Sequence, residues 1–220
     1  LRSLSDYGGF RIYENGTVHN LESVFSTNDP VSMIAEGSNH DCAILESGTV
    51  QCWGSNQYGQ LGDGSRINSY SIPVNVTFPS QSGTPIGLAL DRYDGQYSCA
   101  LMDNGNVYCW GSYQYVGLGN QVCSLYSSLC DSGYLLQPAA PIQFPSSSPV
   151  ISITASIAWN PRVCAVHEDG TASCWGNQYY GELGNGYTNQ QTYVPTSVFM
   201  PSGSGNIIQM SLSDSFTCAL

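Results

Sequence analysis

Charged residues are scarce in this sequence. Only 10% of its 220 residues are Asp, Glu, Lys or Arg, against about a quarter in an ordinary globular protein. Helical proteins need Glu, Lys and Arg on their wet faces, so this shortage disfavours a helical fold. Gly (24 residues) and Tyr (15 residues) are abundant instead. The composition therefore favours short strands joined by many turns.

Basic residues are the scarcer of the two charged kinds. Five Lys and Arg stand against 16 Asp and Glu, and the formal net charge is -11. Nucleic acid repels such a surface, and so few basic side chains neutralise few phosphates. An anionic membrane is disfavoured for the same reason, and no apolar run is long enough to span a bilayer. Cationic or neutral partners, namely proteins, glycans or calcium, fit better; solubility alone is the other reading of the acidity.

An internal repeat organises the chain. Residues 42–54 (CAILESGTVQCWG), 99–111 (CALMDNGNVYCWG) and 164–176 (CAVHEDGTASCWG) align, and a fourth copy begins at Cys218. A relative without cysteine covers residues 10–20. The first cysteines, at positions 42, 99, 164 and 218, recur with a period that suits a propeller blade. Because the last copy is cut short and no leader or initiator Met opens the chain, we expect a mature or partial segment.

Each copy is predicted to form a β-hairpin. Its loop has three residues and ends in Gly, as such a loop requires when its last residue is left-handed. In the first copy the loop is Glu46, Ser47 and Gly48. The same third place is held in the other copies by glycine: Gly16, Gly105 and Gly170.

The hairpin register makes the two cysteines of each copy directly opposed neighbours, within disulfide reach. The predicted pairs are Cys42–Cys52, Cys99–Cys109 and Cys164–Cys174. A local pair, Cys123–Cys130, is predicted in the longest stretch between repeats, and the partner of Cys218 is expected beyond the chain end. The alternatives are buried free thiols or a zinc site, but opposed pairs in three copies disfavour thiols, and the C-x-x-C spacing of zinc sites is missing. Cystines indicate an oxidising compartment.

Further strands complete each unit. A Gly-rich tail follows every Trp-Gly pair, and a strand bracketed by prolines comes next, at 73–79, 141–145 and 195–201. Because Pro cannot donate within a central ladder, these are predicted edge strands. A short strand precedes the next cysteine, at 86–90, 150–154 and 207–211. The predicted fold class is therefore all-β, with blades of about four short antiparallel strands.

Residues 35–62, which contain W-G-S-N-Q-Y-G-Q-L-G, resemble a repeat of the regulator-of-chromosome-condensation family. The resemblance implies a β-propeller, commonly of seven blades, so that this chain forms an incomplete ring of about 3.5–4 blades in one partial domain. The blades implied are a degenerate one at 1–30, three at about 31–85, 86–145 and 146–205, and a truncated one at 206–220. His40 occupies a structural position of the family, and we expect it to be a core histidine.

Three departures from the family pattern matter. Tyr97, Arg162 and Phe216 stand where the first copy has His40, and Val116 replaces a tail glycine. Cystine pairs are foreign to the nuclear members and resemble an extracellular branch that includes a secreted β-lactamase-inhibitor propeller. We therefore predict an extracellular or cell-surface location.

Candidate functional residues are few. Two sequons, at Asn15 and Asn75, are predicted glycosylation sites on a hairpin tip and an edge strand. The repeated tryptophans are assigned to the core. Tyrosines of the tail loops are the predicted binding residues: Tyr58, Tyr115, Tyr179 and Tyr180.

No catalytic residue, metal ligand or cofactor site is predicted. The three histidines, His19, His40 and His167, lie in no zinc motif, and no G-x-S-x-G nucleophile elbow occurs. We predict a non-catalytic module that acts as a structural or adhesive unit in a larger glycoprotein assembly. Its partners would be other protein subunits or remaining blades, and glycans are a further option. The alternatives are a secreted lectin or protein inhibitor, and a disfavoured nuclear exchange factor.

The disulfide pairing can be checked on native protein. Alkylation without reduction, followed by peptide mass spectrometry, is expected to find Cys42 linked to Cys52, and likewise the other three pairs. Free thiols at Cys42 and Cys52 would contradict the extracellular prediction.

Overall fold

The chain folds into successive antiparallel sheets. The structure, a computed structural model, describes residues 29–112, 117, 122–157 and 161–220, and before them the backbone of four short strands. Those strands form the first sheet: β1 (Ser3–Tyr7), β2 (Phe10–Tyr13), β3 (Thr17–His19) and β4 (Val24–Ser26). The second sheet is also a simple meander: β5 (Val31–Glu36), β6 (His40–Leu45), β7 (Val50–Gly54) and β8 (Ser69–Asn75).

The third sheet has an extra strand, in the order β12-β13-β11-β10-β9. Its members include the inserted loop: β9 (Pro85–Leu90), β10 (Tyr97–Met102), β11 (Val107–Ser112), β12 (Cys130–Asp131) and β13 (Tyr134–Leu135). The fourth sheet is again a meander: β14 (Val150–Ala155), β15 (Arg162–His167), β16 (Ala172–Gln178) and β17 (Gln190–Ser197). Two strands, β18 (Met210–Leu212) and β19 (Thr217–Ala219), end the chain.

The first strands of the sheets lie innermost. Strand β9 contacts β5 on one side and β14 on the other, and β14 also contacts β18. Sheets that meet along their first strands and carry their last strands outward are the blades of a propeller. The described sheets do not close into a ring. Whether they make up one domain, with the blade boundaries given above, stays a prediction.

Each hairpin has the predicted register. In the first copy Cys42 lies opposite Cys52, the Leu45 N–H donates to the Thr49 carbonyl at 2.9 Å, and Gly48 has φ +83°. The structure joins the opposed cysteines, with Cα atoms 4.1 Å apart, and does the same in the other two copies. Gly16, in the copy without cysteine, lies outside the described residues.

The inserted loop is closed by the fourth disulfide, between Cys123 and Cys130, whose Cα atoms are 5.5 Å apart. The loop contains a short helix, α1 (Val122–Leu125), and a 3-10 turn (Ser127–Leu129). Strand β12 then folds back on β13. The prediction of about four strands per blade is therefore one strand short for this sheet.

The outer strands begin earlier than the proline pattern predicted. Strands β8 and β17 begin at Ser69 and Gln190, and their prolines, Pro73 and Pro195, fall inside them. Both prolines lie where the ladder register shifts, so that no ladder N–H is needed from them. Residues 141–145 form no strand, because β12 and β13 take the outer place there. Strand β18 also starts later than the predicted 207–211.

The core lies between neighbouring sheets. Each hairpin disulfide is buried in a cluster that also contains side chains from the first strand of the next sheet, such as Leu88 beside Cys42–Cys52. Trp110 and Trp175 are fully buried, as predicted for core residues. The Trp110 indole N–H donates to the Gln60 carbonyl of the preceding sheet at 2.8 Å. Apolar burial between sheets therefore holds consecutive blades together.

A substitution at Gly62 can test how tightly the core between neighbouring sheets is packed. Gly62 has φ +73°, and a Cβ added to it would lie 2.6 Å from Trp110 Nε1. We expect Gly62→Ala to lower the free energy of unfolding by about 2–4 kcal/mol, from left-handed strain plus overpacking. The measurement is urea denaturation followed by tryptophan fluorescence.

Gly203→Ala is the matched control. Gly203 has φ +86°, but no atom lies within 4 Å of an added Cβ. It should show the left-handed strain alone, about 1 kcal/mol. Equal losses in the two variants would mean that contact with Trp110 contributes nothing.

Candidate interaction surface

The sheets have two different ends. The turn end carries the three-residue hairpin loops 46–48, 103–105 and 168–170, and the tail end carries the loops 55–64 and 177–186. All hairpin turns share one end, because an added Cβ on Gly48, Gly105 or Gly170 would meet residues just before the inner strand of the next sheet. The binding tyrosines were predicted at the tail end.

Tyr58 belongs to a small cluster of side chains around Tyr134. Its ring packs edge-on against Tyr134 with centroids 5.2 Å apart. The Arg66 guanidinium lies over the Tyr134 ring, 5.0 Å from its centre, and binds Asp131 at 3.1 Å. Tyr58 is half-buried and anchors the inserted loop to the preceding sheet. The predicted role of Tyr58 in ligand binding stays a prediction.

Tyr179 and Tyr180 are exposed, Tyr180 by 77%. Their backbone N–H groups both donate to one oxygen of Glu182 at 2.8 Å, which fixes the loop that presents them. Tyr180 lines a cleft of about 370 Å³ together with Phe199 and Phe216. Tyr115 lies outside the described residues. Among the tail tyrosines that the structure describes, Tyr58 packs against Tyr134, whereas Tyr179 and Tyr180 are exposed.

The position two residues before each first cysteine ties one sheet to the next. His40 shares a hydrogen bond of 2.7 Å with Ser98 Oγ, and the Tyr97 hydroxyl donates to the Arg162 carbonyl at 3.2 Å. The Arg162 guanidinium donates to the carbonyls of Ser213, Asp214 and Phe216. Three different side chains perform one structural task, so these residues belong to the framework.

His40 and His167 are buried and structural. Burial lowers the pKa of His40 to about 3. Because Ser98 Oγ donates onward to the Gln60 carbonyl, His40 Nε2 must be the donor to Ser98 Oγ, and the ring is neutral. His167 lies between the Ser148 carbonyl and Ser173 Oγ, at 3.1 and 3.0 Å. The core assignment of His40 agrees with this geometry; the His19 side chain lies outside the described part.

The sequon at Asn75 is exposed at the end of β8. Its side-chain oxygen accepts a hydrogen bond from Gln51 Nε2 at 3.0 Å, and Thr77 is exposed beside it. Asn15 lies outside the described residues. In the part of the chain that the structure describes, no three His, Cys, Asp or Glu side chains are placed to hold a metal ion. No helix among the described residues is long and apolar enough to cross a membrane.

The two ends of the sheets differ in charge, which sequence patterns alone did not reveal. Arg66, Arg92 and Arg162, the arginines of residues 29–220, lie at the tail end, where acidic residues accompany them. The hairpin loops of the turn end carry exposed acidic residues instead, Glu46 and Asp103 among them. Sheet topology was needed to see this, because the residues concerned are far apart in sequence.

These features define a class: a set of β-propeller blades that are repeats with a fixed hairpin and a Trp-Gly tail. Models of the regulator of chromosome condensation (RCC1) repeat match residues 47–86 and 169–220, and, in a second version, 33–60 and 95–115. The chain therefore belongs to the RCC1 repeat family. Whether it falls in an extracellular branch stays a prediction.

Relatives and solved structures agree on the fold. The ultraviolet-B receptor UVR8 of Arabidopsis thaliana is 27% identical over 202 residues, covering 88% of this chain and 40% of UVR8. The human E3 ubiquitin-protein ligase HERC2 is 30% identical over 154 residues, which cover 70% of this chain and 3% of HERC2. The structure of Prp20p from Saccharomyces cerevisiae matches with a TM-score of 0.69 at 24% identity, over 86% of this chain and 43% of Prp20p. The chain thus spans less than half the length of these relatives.

The buried His40 predicts a dependence of stability on pH. The unfolded chain protonates this histidine below its ordinary pKa of about 6.5, whereas folded His40 stays neutral down to about pH 3. Lowering the pH through this window therefore lowers the free energy of unfolding, by up to about 1.4 kcal/mol per pH unit. Urea denaturation across a pH series should give a shallower slope for His40→Gln than for the wild type. Identical slopes would show that His40 is protonated in the fold.

Proposed function

We propose that this chain is a non-catalytic propeller module that works outside the cell, as a protein-interaction and structural unit of a larger glycoprotein assembly. The observation that carries the proposal is the repeated disulfide. Three consecutive sheets each hold one cystine in the core between blades, and a fourth closes the inserted loop. Such bonds persist in oxidising compartments and are rare in the cytosol and nucleus.

Two further features support this location. Asn75 and Thr77 are exposed, as glycan attachment requires. The net charge of -11 also disfavours the nuclear alternative, since it works against binding to DNA. The pairing of Cys218, which is exposed and free in this structure, stays a prediction.

A role in binding proteins is supported by the family. Prp20p, whose structure is solved, binds Gsp1p and histones. A second solved structure shows the same yeast protein bound to Kap60. These partners belong to that protein, and the shared fold carries only the idea that propeller surfaces serve as docking platforms. No cofactor enters the proposal.

A secreted lectin is the second candidate, and one observation favours it. The cleft of about 370 Å³ beside the last sheet is lined by Tyr180, Phe199 and Phe216, all exposed. Aromatic faces of this kind stack on sugar rings. A glycan array separates the two candidates: selective binding that Tyr180→Ala abolishes favours the lectin, while silence there and cross-links to proteins in the extracellular fraction favour the interaction module.

Glycosylation of Asn75 tests the location. We expect the chain secreted from eukaryotic cells to carry a glycan on Asn75, detected as a loss of mass on treatment with a glycosidase. Thr77→Ala removes the sequon and keeps the Gln51 contact of Asn75, so the shift at this site should vanish. Thr77→Ser is the matched control and keeps the sequon. A chain that is retained in the cell, or that folds equally well with all thiols reduced, would contradict the extracellular role.

A further inference from the structure

The inner strands share a β-bulge at their second residue. The ladder register shifts at Ser32 in β5, at Ile86 in β9 and at Ile151 in β14. Bulges re-aim a side chain, and they are common next to functional sites. Ile86 is 55% exposed and Ile151 is 51% exposed, although both belong to strands in the interior of the propeller. Ile208, at the corresponding place before β18, is 66% exposed.

Acidic turn residues lie close to these bulges in three consecutive sheets. The backbone N–H groups of Glu46, Asp103 and Glu168 donate to the carbonyls of Pro30, Thr84 and Pro149, at 2.8, 2.8 and 2.9 Å. Each acceptor lies two residues before a bulge, so the hydrogen bond holds the backbone of an exposed acidic residue close to the bulged end of each inner strand. The same geometry recurs three times, which makes it a property of the repeat.

The charge of this end has one sign. Asp29 and Asp169 add to the three acidic turn residues, and the connecting segments 76–84, 142–149 and 198–206 contain no charged residue. The arginines of residues 29–220 all lie at the tail end. The turn end therefore carries acidic residues and no basic ones among residues 29–220, beside exposed isoleucines.

We propose that the turn end docks a basic polypeptide segment of a partner protein, whose apolar side chains contact Ile86, Ile151 and Ile208 while its Lys or Arg side chains meet the acidic turns. This inference rests on the proposed role in protein interaction and names the face and the partner chemistry. Complementary charge speeds the encounter and fixes orientation, and burial of the isoleucines supplies affinity.

Charge argues against the other occupants of this face. Nucleic acid and anionic membranes are repelled by the acidic turn residues. A second copy of this chain bound through the same face would set acidic turns against acidic turns, which is unfavourable. A basic segment is the occupant whose charge matches.

The test uses two synthetic peptides with one pattern of leucines, whose polar positions are lysine in the first and glutamate in the second. Binding to the chain is followed by fluorescence anisotropy at low and at physiological salt. We expect the lysine peptide to bind, more weakly as salt rises, and the glutamate peptide not to bind.

Two sets of variants locate the site. Ile86→Ser with Ile151→Ser is expected to weaken lysine-peptide binding at least about tenfold. Serine suits the bulge, because Ser32 occupies it in β5. Ile72→Ser is the control, since Ile72 is 73% exposed on the outer strand β8. The charge variants are Glu46→Gln, Asp103→Asn and Glu168→Gln together, against Asp94→Asn with Asp214→Asn at the tail end.

The outcomes decide the proposal. Loss of lysine-peptide binding in the turn-end variants alone supports the proposal. Thermal unfolding checks that each variant folds. If the Ile86→Ser, Ile151→Ser variant does not fold, the charge variants decide. Equal loss in the tail-end set, equal binding of the two peptides, or sedimentation showing self-association that the Ile variants abolish would each overturn it. The proposed function survives such a failure if cross-links to proteins map elsewhere, and falls only if no protein contacts are found.

Discussion

The hairpin register is the constraint on which the other features depend. Its three-residue loop ends in a left-handed glycine such as Gly48, and this sets which residues of β6 and β7 lie opposite each other. The register places Cys42 opposite Cys52 and buries Trp53. Gly54, the next residue, ends β7 and leads into the Gly-rich tail loop. A slip of one residue would move every side chain to the other face of the sheet and would separate the cysteines.

Contacts between neighbouring sheets add the second layer of order. The chain uses a histidine, a tyrosine and an arginine at one repeat position, and each reaches a polar group of the next sheet. Their chemistry differs, yet each satisfies groups that burial would otherwise leave unpaired. Tail residues add to these ties, because the Gln60 carbonyl accepts from both Ser98 and Trp110 of the next sheet. This explains why a family histidine can be replaced here without loss of the architecture.

The two ends of the sheets suit different tasks. The tail end contains the side-chain contacts of His40, Tyr97 and Arg162 with the next sheet, and there Tyr58 and Arg66 hold the inserted loop. The turn end has short loops held by backbone hydrogen bonds, with its acidic and apolar side chains directed to solvent. Because side chains at the tail end hold the sheets together while those at the turn end face solvent, the turn end can contact a partner. This arrangement fits the proposed interaction module.

Local patterns in the sequence determined the hairpins, the disulfide pairs and the buried tryptophans, because a turn type and an alternation of side chains are set by near neighbours. They placed the outer strands wrongly, since the bulges that accommodate Pro73 and Pro195 depend on pairing with distant residues. They also gave no sign that Tyr58 packs against Tyr134, which lies far along the chain. Only the tertiary structure decided that acidic turns and bulged isoleucines share one end, because that arrangement arises when separate repeats stack around an axis.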